Sequence, residues 1–360
     1  MKMKEERAMQ QENKRYRMPA EWEEHEGTWL SWPHRFSFRG ENYRSELDNI
    51  WVAITKGLYQ GENVHILVFD DEEKMHVQKL LGKAKINMGK IDFIIMETDD
   101  VWIRDNGPIF VYDEEDNLVM TNWKFNGWGG KYGYELDNQV SEKISQFYGF
   151  PRVDAPLVLE GGGVNVNGTG TLMAALTSIV NDNRNPEYTK KEQENIISKH
   201  FGVDNFIWIT GIVGEENGDE DTDYHIDGAA CFTNKNTILY EYDPFKEDKD
   251  YLLEAYDKHY KEIKKCKTED GEDLTLVPLP LTRKEVKEAG CKGSYLNIYI
   301  GNKAVLVPIY GDENDGLALQ IIEGQFPGRE IIGIDVCKLF PYGGMIHCVT
   351  QQQPINKKTK

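Results

Sequence analysis

The sequence predicts an α/β protein built from repeated β-hairpin-plus-helix units around a common centre. Hairpin patterns recur along the chain, amphipathic stretches lie between them, and no low-complexity linker divides the 360 residues. Each hairpin reads as a short apolar run, a polar turn rich in Asn, Gly or Lys, and a second apolar run. Four begin at Pro108, Val164, Ala230 and Asn297, roughly 55 to 70 residues apart, and an earlier unit begins near Thr28-Trp-Leu-Ser-Trp. The helical stretches are Glu46–Ile54, Val140–Phe147 and Asp250–Tyr256, where apolar residues fall at three- and four-residue spacing. A hairpin and helix repeating at this interval indicate radial or stacked units, although hairpins also recur by chance in α/β chains.

The expected organisation is a charged arm over residues 1–17, a single domain over 18–354 and a short tail over 355–360. An apolar fraction of 39% with 11% aromatics suits a packed core and excludes a disordered chain. No apolar run approaches the ~18 residues of a membrane span. Met1–Arg17 has no signal-like apolar stretch, so the expected location is cytoplasmic and off the membrane. The net charge of −19 opposes nucleic-acid binding, draws in small cations and favours solubility. Cys231, Cys266, Cys291, Cys337 and Cys348 are odd in number and lack CxxC spacing, so neither a disulfide framework nor a zinc ribbon is indicated.

Four segments carry candidate chemistry. In Thr98-Asp-Asp-Val-Trp-Ile-Arg-Asp-Asn-Gly-Pro108, Asp100, Arg104 and Asp105 crowd Trp102 at a strand entrance. Carboxylates and an indole there suit a bound guanidinium, or equally a structural Asp–Arg pair. Leu159-Glu-Gly-Gly-Gly163 lets the backbone approach a ligand or a strand, with Glu160 its ionisable group. In Asp221-Thr-Asp-Tyr-His-Ile-Asp227, an extended chain puts His225 and Asp227 on one face, as an oriented acid/base pair. A metal is less well served, because no third ligand lies nearby. In Tyr342-Gly-Gly-Met-Ile-His-Cys348, a glycine-rich loop beside a histidine favours an accessible thiol of depressed pKa. His347, facing the other way on a strand, leaves His225 as its partner.

Together, Met18-Pro-Ala-Glu-Trp, Asp100-Val-Trp-Ile-Arg-Asp-Asn-Gly-Pro, Phe125-Asn-Gly-Trp-Gly-Gly-Lys-Tyr, Glu160-Gly-Gly-Gly, His225-Ile-Asp and Gly344-Met-Ile-His-Cys-Val-Thr-Gln-Gln-Gln-Pro resemble the agmatine deiminase and bacterial-type peptidylarginine deiminase family. The resemblance spans residues 18 to 354. It implies the pentein fold, a five-bladed α/β propeller of pseudo-fivefold symmetry, with no metal and no organic cofactor. It also implies Cys348 as nucleophile, His225 as general acid/base, Asp105 and Asp227 as guanidinium-binding carboxylates, Glu160 as an accessory carboxylate and Trp102 as a site-lining residue.

The implied reaction is hydrolysis of agmatine to N-carbamoylputrescine and ammonia through a covalent thiouronium. The rival is deimination of free or peptidyl arginine to citrulline. A small cationic guanidino compound is the expected partner, and a homodimer the family expectation. Tyr224, Gly228 and Met345 depart from the family's usual residues, and their place in the sequence puts them at the pocket's border, where the far end of the substrate is read.

Overall fold

A computed structural model describes residues 15–38, 44–212, 221–243 and 252–359. Its α/β architecture repeats one scheme five times. A first strand pairs antiparallel with a second, the chain crosses through a helix, and a third strand returns parallel to the second. The helix is needed because parallel neighbours cannot be joined by a tight turn.

One unit comprises Ile109–Tyr112, Leu118–Lys124, helix Val140–Tyr148 and Arg152–Val158. The next has Val164–Val166, Thr171–Ala175, helix Lys190–Phe201 and Asn205–Ile209. Then follow Ala230–Asn234, Thr237–Tyr242, helix Leu252–Ile263 and Thr275–Pro280, and after them Tyr299–Ile300, Ala304–Ile309, helix Asp315–Gln325 and Glu330–Asp335. The four hairpins expected from sequence are the first two strands of these units. The expected helices at 46–54 and 140–147 are also present, as Arg44–Leu58 and Val140–Tyr148; Asp250 and Tyr251 of the third lie outside the described residues.

The remaining unit draws on both ends of the chain. Gln351–Pro354 runs antiparallel to His25–Ser31, which pairs parallel with Asn63–Val68, and that strand pairs parallel with Ile91–Ile95. No turn joins its antiparallel pair, so Thr28-Trp-Leu-Ser-Trp carries no hairpin signal.

Middle strands such as Thr171–Ala175 are buried at every position, as expected where neighbours and crossover helices cover both faces. Helix ends are fixed by local chemistry. Thr189 and Glu192 form a capping box ahead of Lys190–Phe201, and Gly202 closes that helix at φ 68°.

Residues 1–14 of the expected charged arm lie outside the described residues. Tyr16 and Arg17, its last part, are described. Tyr16 is buried in a core cluster with Phe201, and the Arg17 amide donates to the Tyr112 carbonyl at 2.8 Å. An aromatic ring and an edge-strand bridge thus fasten the end of a stretch that reads as charged. Among the described residues no helix is long and apolar enough to cross a membrane.

Candidate active site

All five units send a turn to one place, and each turn lies just ahead of its unit's first strand. Asp105 sits in the short helix Ile103–Asn106 before Ile109–Tyr112. Glu160 and Gly162 occupy the turn around Gly161–Gly163 before Val164–Val166, and His225 and Asp227 the turn at Ile226–Gly228 before Ala230–Asn234. Asn297 precedes Tyr299–Ile300, and Cys348 lies in the turn His347–Val349 before Gln351–Pro354.

Two local expectations are corrected here. His225 and Asp227 are not on an extended strand, and neither is Cys348; both segments are single tight turns. His225 and Asp227 nonetheless converge, because the turn curves them inward.

The point of convergence is Gly162. A Cβ there would lie 2.6 Å from His225 Nδ1 and 2.9 Å from both Asp105 Oδ1 and Asp227 Oδ2. Only a residue without a side chain lets these groups come so close. Asp105 is fixed by the Gly162 amide at 3.0 Å and the Trp128 indole N–H at 3.0 Å. Asp227 Oδ2 accepts from His347 Nδ1 at 2.8 Å and lies 3.9 Å from Cys348 Sγ. Asn297 completes the nucleophile loop. Its Nδ2 donates to Sγ at 3.3 Å, and its Oδ1 accepts the His347 amide at 2.9 Å.

Glu160 is buried behind His225, contrary to the exposed side chain that a glycine turn could have left. Its Oε1 accepts from Arg184 Nε at 2.7 Å, and its Oε2 lies 3.2 Å from His225 Nε2. Arg104 turns away from Asp100 and Asp105, donating to the His347 carbonyl at 3.2 Å and to Gln352 Oε1 at 2.8 Å.

Burial pushes the His225 imidazole down, but Asp105, Glu160 and Asp227 outweigh it and raise the ring to about 9. It is therefore a cation at neutral pH. Asp105 is raised by burial, opposed by His225 and reinforced by Asp227 and Glu160. Burial also acts against ionised Asp227, yet the His347 bond and charge bring that carboxyl below its usual range. Glu160 is held low in the same way by Arg184 and His225. The Cys348 thiol is pushed well up by burial and by Asp227 and Asp105. This reverses the depressed pKa expected from a glycine-rich loop beside a histidine, because the groups brought to the sulfur are carboxylates.

The turns open into a cavity of about 220 Å³. Phe38, Trp102, Trp128 and Tyr342 form aromatic walls, and Asp105 and Cys348 lie in it with two further carboxylates, Asp100 and Asp221. The three departing residues do not line it. Met345 is buried, its sulfur accepting from the Tyr310 hydroxyl at 2.6 Å. Tyr224, at φ 74°, packs in a tilted arrangement against His259 with ring centroids 5.1 Å apart, and the Gly228 carbonyl accepts from Ser294 at 3.3 Å. Among the described residues no group of three or more His, Cys, Asp or Glu is disposed to hold a metal.

Trp128, Asn297, Arg184 and Asp221 were not singled out from sequence. Trp128 stood in Phe125-Asn-Gly-Trp-Gly-Gly-Lys-Tyr, where its φ of 53° places the indole over Asp105, but nothing in that run announces a partner.

A family model for Porphyromonas-type peptidyl-arginine deiminase matches residues 17–354. The agmatine deiminase of Stutzerimonas stutzeri (strain A1501) is 30% identical over 368 residues, covering 94% of this chain and 95% of that protein. The solved agmatine deiminase of Enterococcus faecalis superposes with a TM-score of 0.81 at 27% identity, covering 95% of this chain and 96% of that one. A cysteine-to-serine variant of C. jejuni agmatine deiminase with substrate bound superposes with a TM-score of 0.84 at 27% identity, covering 95% and 97%.

Proposed function

The chain belongs to the Porphyromonas-type peptidyl-arginine deiminase family, and on that premise we propose that it hydrolyses agmatine to N-carbamoylputrescine and ammonia. The observation that carries this reading is the meeting of His225 Nδ1, Asp105 Oδ1 and Asp227 Oδ2 around Gly162, with Cys348 Sγ 3.9 Å from Asp227. A planar guanidinium placed there offers N–H groups to two carboxylates and its carbon to the sulfur.

The cation does more than dock. Asp105 and Asp227 raise the thiol's pKa, so a guanidinium between them offsets their charge and favours the thiolate. The thiolate adds to the guanidinium carbon, giving a neutral tetrahedral species. Protonated His225 gives its proton to one nitrogen, the C–N bond breaks and ammonia leaves, with a cationic thiouronium on Cys348. Neutral His225 then takes a proton from water as the hydroxide adds to the same carbon. Collapse to the urea carbonyl breaks the C–S bond, and the hydroxyl proton passes to the leaving sulfur, freeing Cys348 as the thiol. Glu160, bonded to Nε2, leaves Nδ1 as the nitrogen that handles the proton.

Agmatine is favoured over arginine by the outer wall. Among the described lining residues Asp100 and Asp221 are carboxylates, and no Lys or Arg is present to take an α-carboxylate. Carboxylates there attract a terminal ammonium and repel a carboxylate. In the same reading, residues 18–354 form one domain, the five units are blades of a pentein propeller, and the enzyme is a cytoplasmic, cofactor-independent homodimer.

Ammonia release from agmatine, free arginine and an arginyl peptide, with Cys348→Ala as control, tests this. We expect turnover of agmatine foremost and none by Cys348→Ala. Preference for arginine overturns the substrate, and activity in Cys348→Ala overturns the covalent route.

A further inference from the structure

Met18-Pro-Ala-Glu-Trp enters the family resemblance but has no part in the chemistry above. In the structure its Glu21 is buried, 326 positions from the residue it meets, with Oε2 3.0 Å from His347 Nε2. His347 Nδ1 is 2.8 Å from Asp227 Oδ2, so one imidazole bridges two carboxylates. Glu21 is itself pinned, since its Oε1 accepts the Ile300 amide at 2.8 Å. Ionised carboxylates only accept, so both ring nitrogens must donate and the ring is an imidazolium.

We propose that Glu21 and His347 are positioning residues: Glu21 keeps His347 doubly protonated, and the imidazolium holds Asp227 ionised and fixed beside Cys348. This rests on the guanidinium-binding role proposed for Asp227.

The need for such a device follows from crowding. Asp105, Asp227 and Glu160 surround a single histidine, and like charges this close drive one carboxylate to protonate. Asp105 shows that pressure and is raised, whereas Asp227 is lowered, with His347 the first of the groups that oppose its burial. Burial disfavours the charged Glu21, but the His347 and Arg104 cations and two hydrogen bonds bring it to about 2. His347 is raised even though burial and Arg104 oppose it. The charged groups that act on His347 are Glu21 from the N-terminal segment, Asp227 and Arg104, with Cys348 next in the chain; Cys231, Tyr299 and Arg329 interact with Glu21, and His225 with Asp227. Glu21 and Asp227 match His347 and Arg104 in charge, so the clamp adds no net charge beneath the site.

Two readouts test this, one of them independent of substrate. Histidine-ring nitrogen NMR on the full chain, with the His347 signal identified by its absence in His347→Gln, should show a doubly protonated ring at pH 7.5 in the wild type. Glu21→Gln should move its titration down by about one pH unit, the ordinary effect of losing an opposite charge. With agmatine, Glu21→Gln should lose roughly 10- to 100-fold in kcat/KM, the usual cost of removing a group that orients a ligand-binding side chain. Its alkaline limb should move to lower pH, and Glu21→Asp should restore much of both. A neutral wild-type ring, or an unmoved His347 titration in Glu21→Gln, overturns the proposal, as does equal loss at every pH in both variants. If Glu21→Gln does not fold, Glu21→Asp decides by the same titration, which a shortened carboxylate moves down by a fraction of a pH unit and a merely structural residue leaves unmoved. A wild type without activity on agmatine removes the function above and leaves the ring titration to be read alone.

Discussion

His225 turns Nε2 to within 3.2 Å of Glu160 Oε2 and leaves Nδ1 without a hydrogen-bond partner among the described residues. The imidazole is thereby charged from behind, and in front its buried Nδ1 has Asp105 Oδ1 at 3.7 Å, beyond hydrogen-bond reach. Because its folded pKa of about 9 exceeds the ordinary 6.5, its protonation stabilises the fold fully below about 6.5 and is lost as pH rises through 9. Urea midpoints at pH 6.5, 8 and 9.5 should therefore fall with pH. Glu160→Gln should flatten that decline and bring the alkaline limb of kcat/KM to lower pH. Asp100 and Asp137, raised chiefly by burial to about 7 and about 8, slope the same way in both proteins, so the difference between the two reports His225.

Asp105→Asn should move two properties of Cys348 in opposite directions. Asp105 is one of the charges that raises the thiol, so alkylation of Cys348 by iodoacetamide should begin at lower pH in the variant. Deimination should fall by roughly 100-fold or more, as when one preorganised group is removed from a charged reaction centre. Peptide mass spectrometry of the alkylated chain, set beside ammonia release, checks both. Slower alkylation with reduced turnover would show that Asp105 assists the thiolate instead of opposing it.

Gly162→Ala should leave a folded protein with little activity. The glycine's φ is not left-handed, so the backbone accepts alanine, but the new methyl would sit 2.6 to 2.9 Å from three site groups. Displacing them by even an ångström costs roughly 100-fold in rate. Circular dichroism and kcat/KM separate the site effect from unfolding.

Trp128→Phe removes the 3.0 Å bond to Asp105 while keeping an aromatic wall. That bond favours the ionised carboxylate, so its loss should raise Asp105 further and shift the acid limb of kcat/KM to higher pH. The expected cost is about 1 to 1.5 kcal/mol, or roughly tenfold, read from pH–rate profiles.

What the sequence discloses here is what lies close along it. Cys348, His225, Asp105, Asp227 and Glu160 stand beside glycine or turn signals, and the four local hairpins have visible turns. The first unit does not, since Gln351–Pro354 must travel the length of the chain to meet His25–Ser31. The Glu21–His347 contact has the same origin. Side-chain direction was the second barrier. Met345 and Tyr224 neighbour site residues in sequence, yet tight turns send them to Tyr310 and His259. The thiol's environment departs from the sequence expectation for a related reason. His347 is a cation beside Cys348, but its charge is taken by Glu21 and Asp227, and the sulfur meets carboxylates instead.

The outer wall gives the last prediction. Asp221 lines the cavity, accepts from the Tyr132 hydroxyl, and has its backbone carbonyl bound by Lys131 at 3.0 Å. A side chain so held is placed to meet the terminal ammonium of a diamine-like substrate. Because it is partly open to water, the contact should contribute about 1 kcal/mol, roughly fivefold in KM. Asp221→Asn should raise KM for agmatine by that factor with kcat little changed, since the reacting carbon lies at the other end. For arginine the same change removes a repulsion, so its KM should fall or hold. The agmatine-to-arginine ratio of kcat/KM is the number to measure. A ratio unchanged in Asp221→Asn would move the discrimination to Asp100, which shares the wall with its oxygens taken up by the Val101 and Phe38 amides.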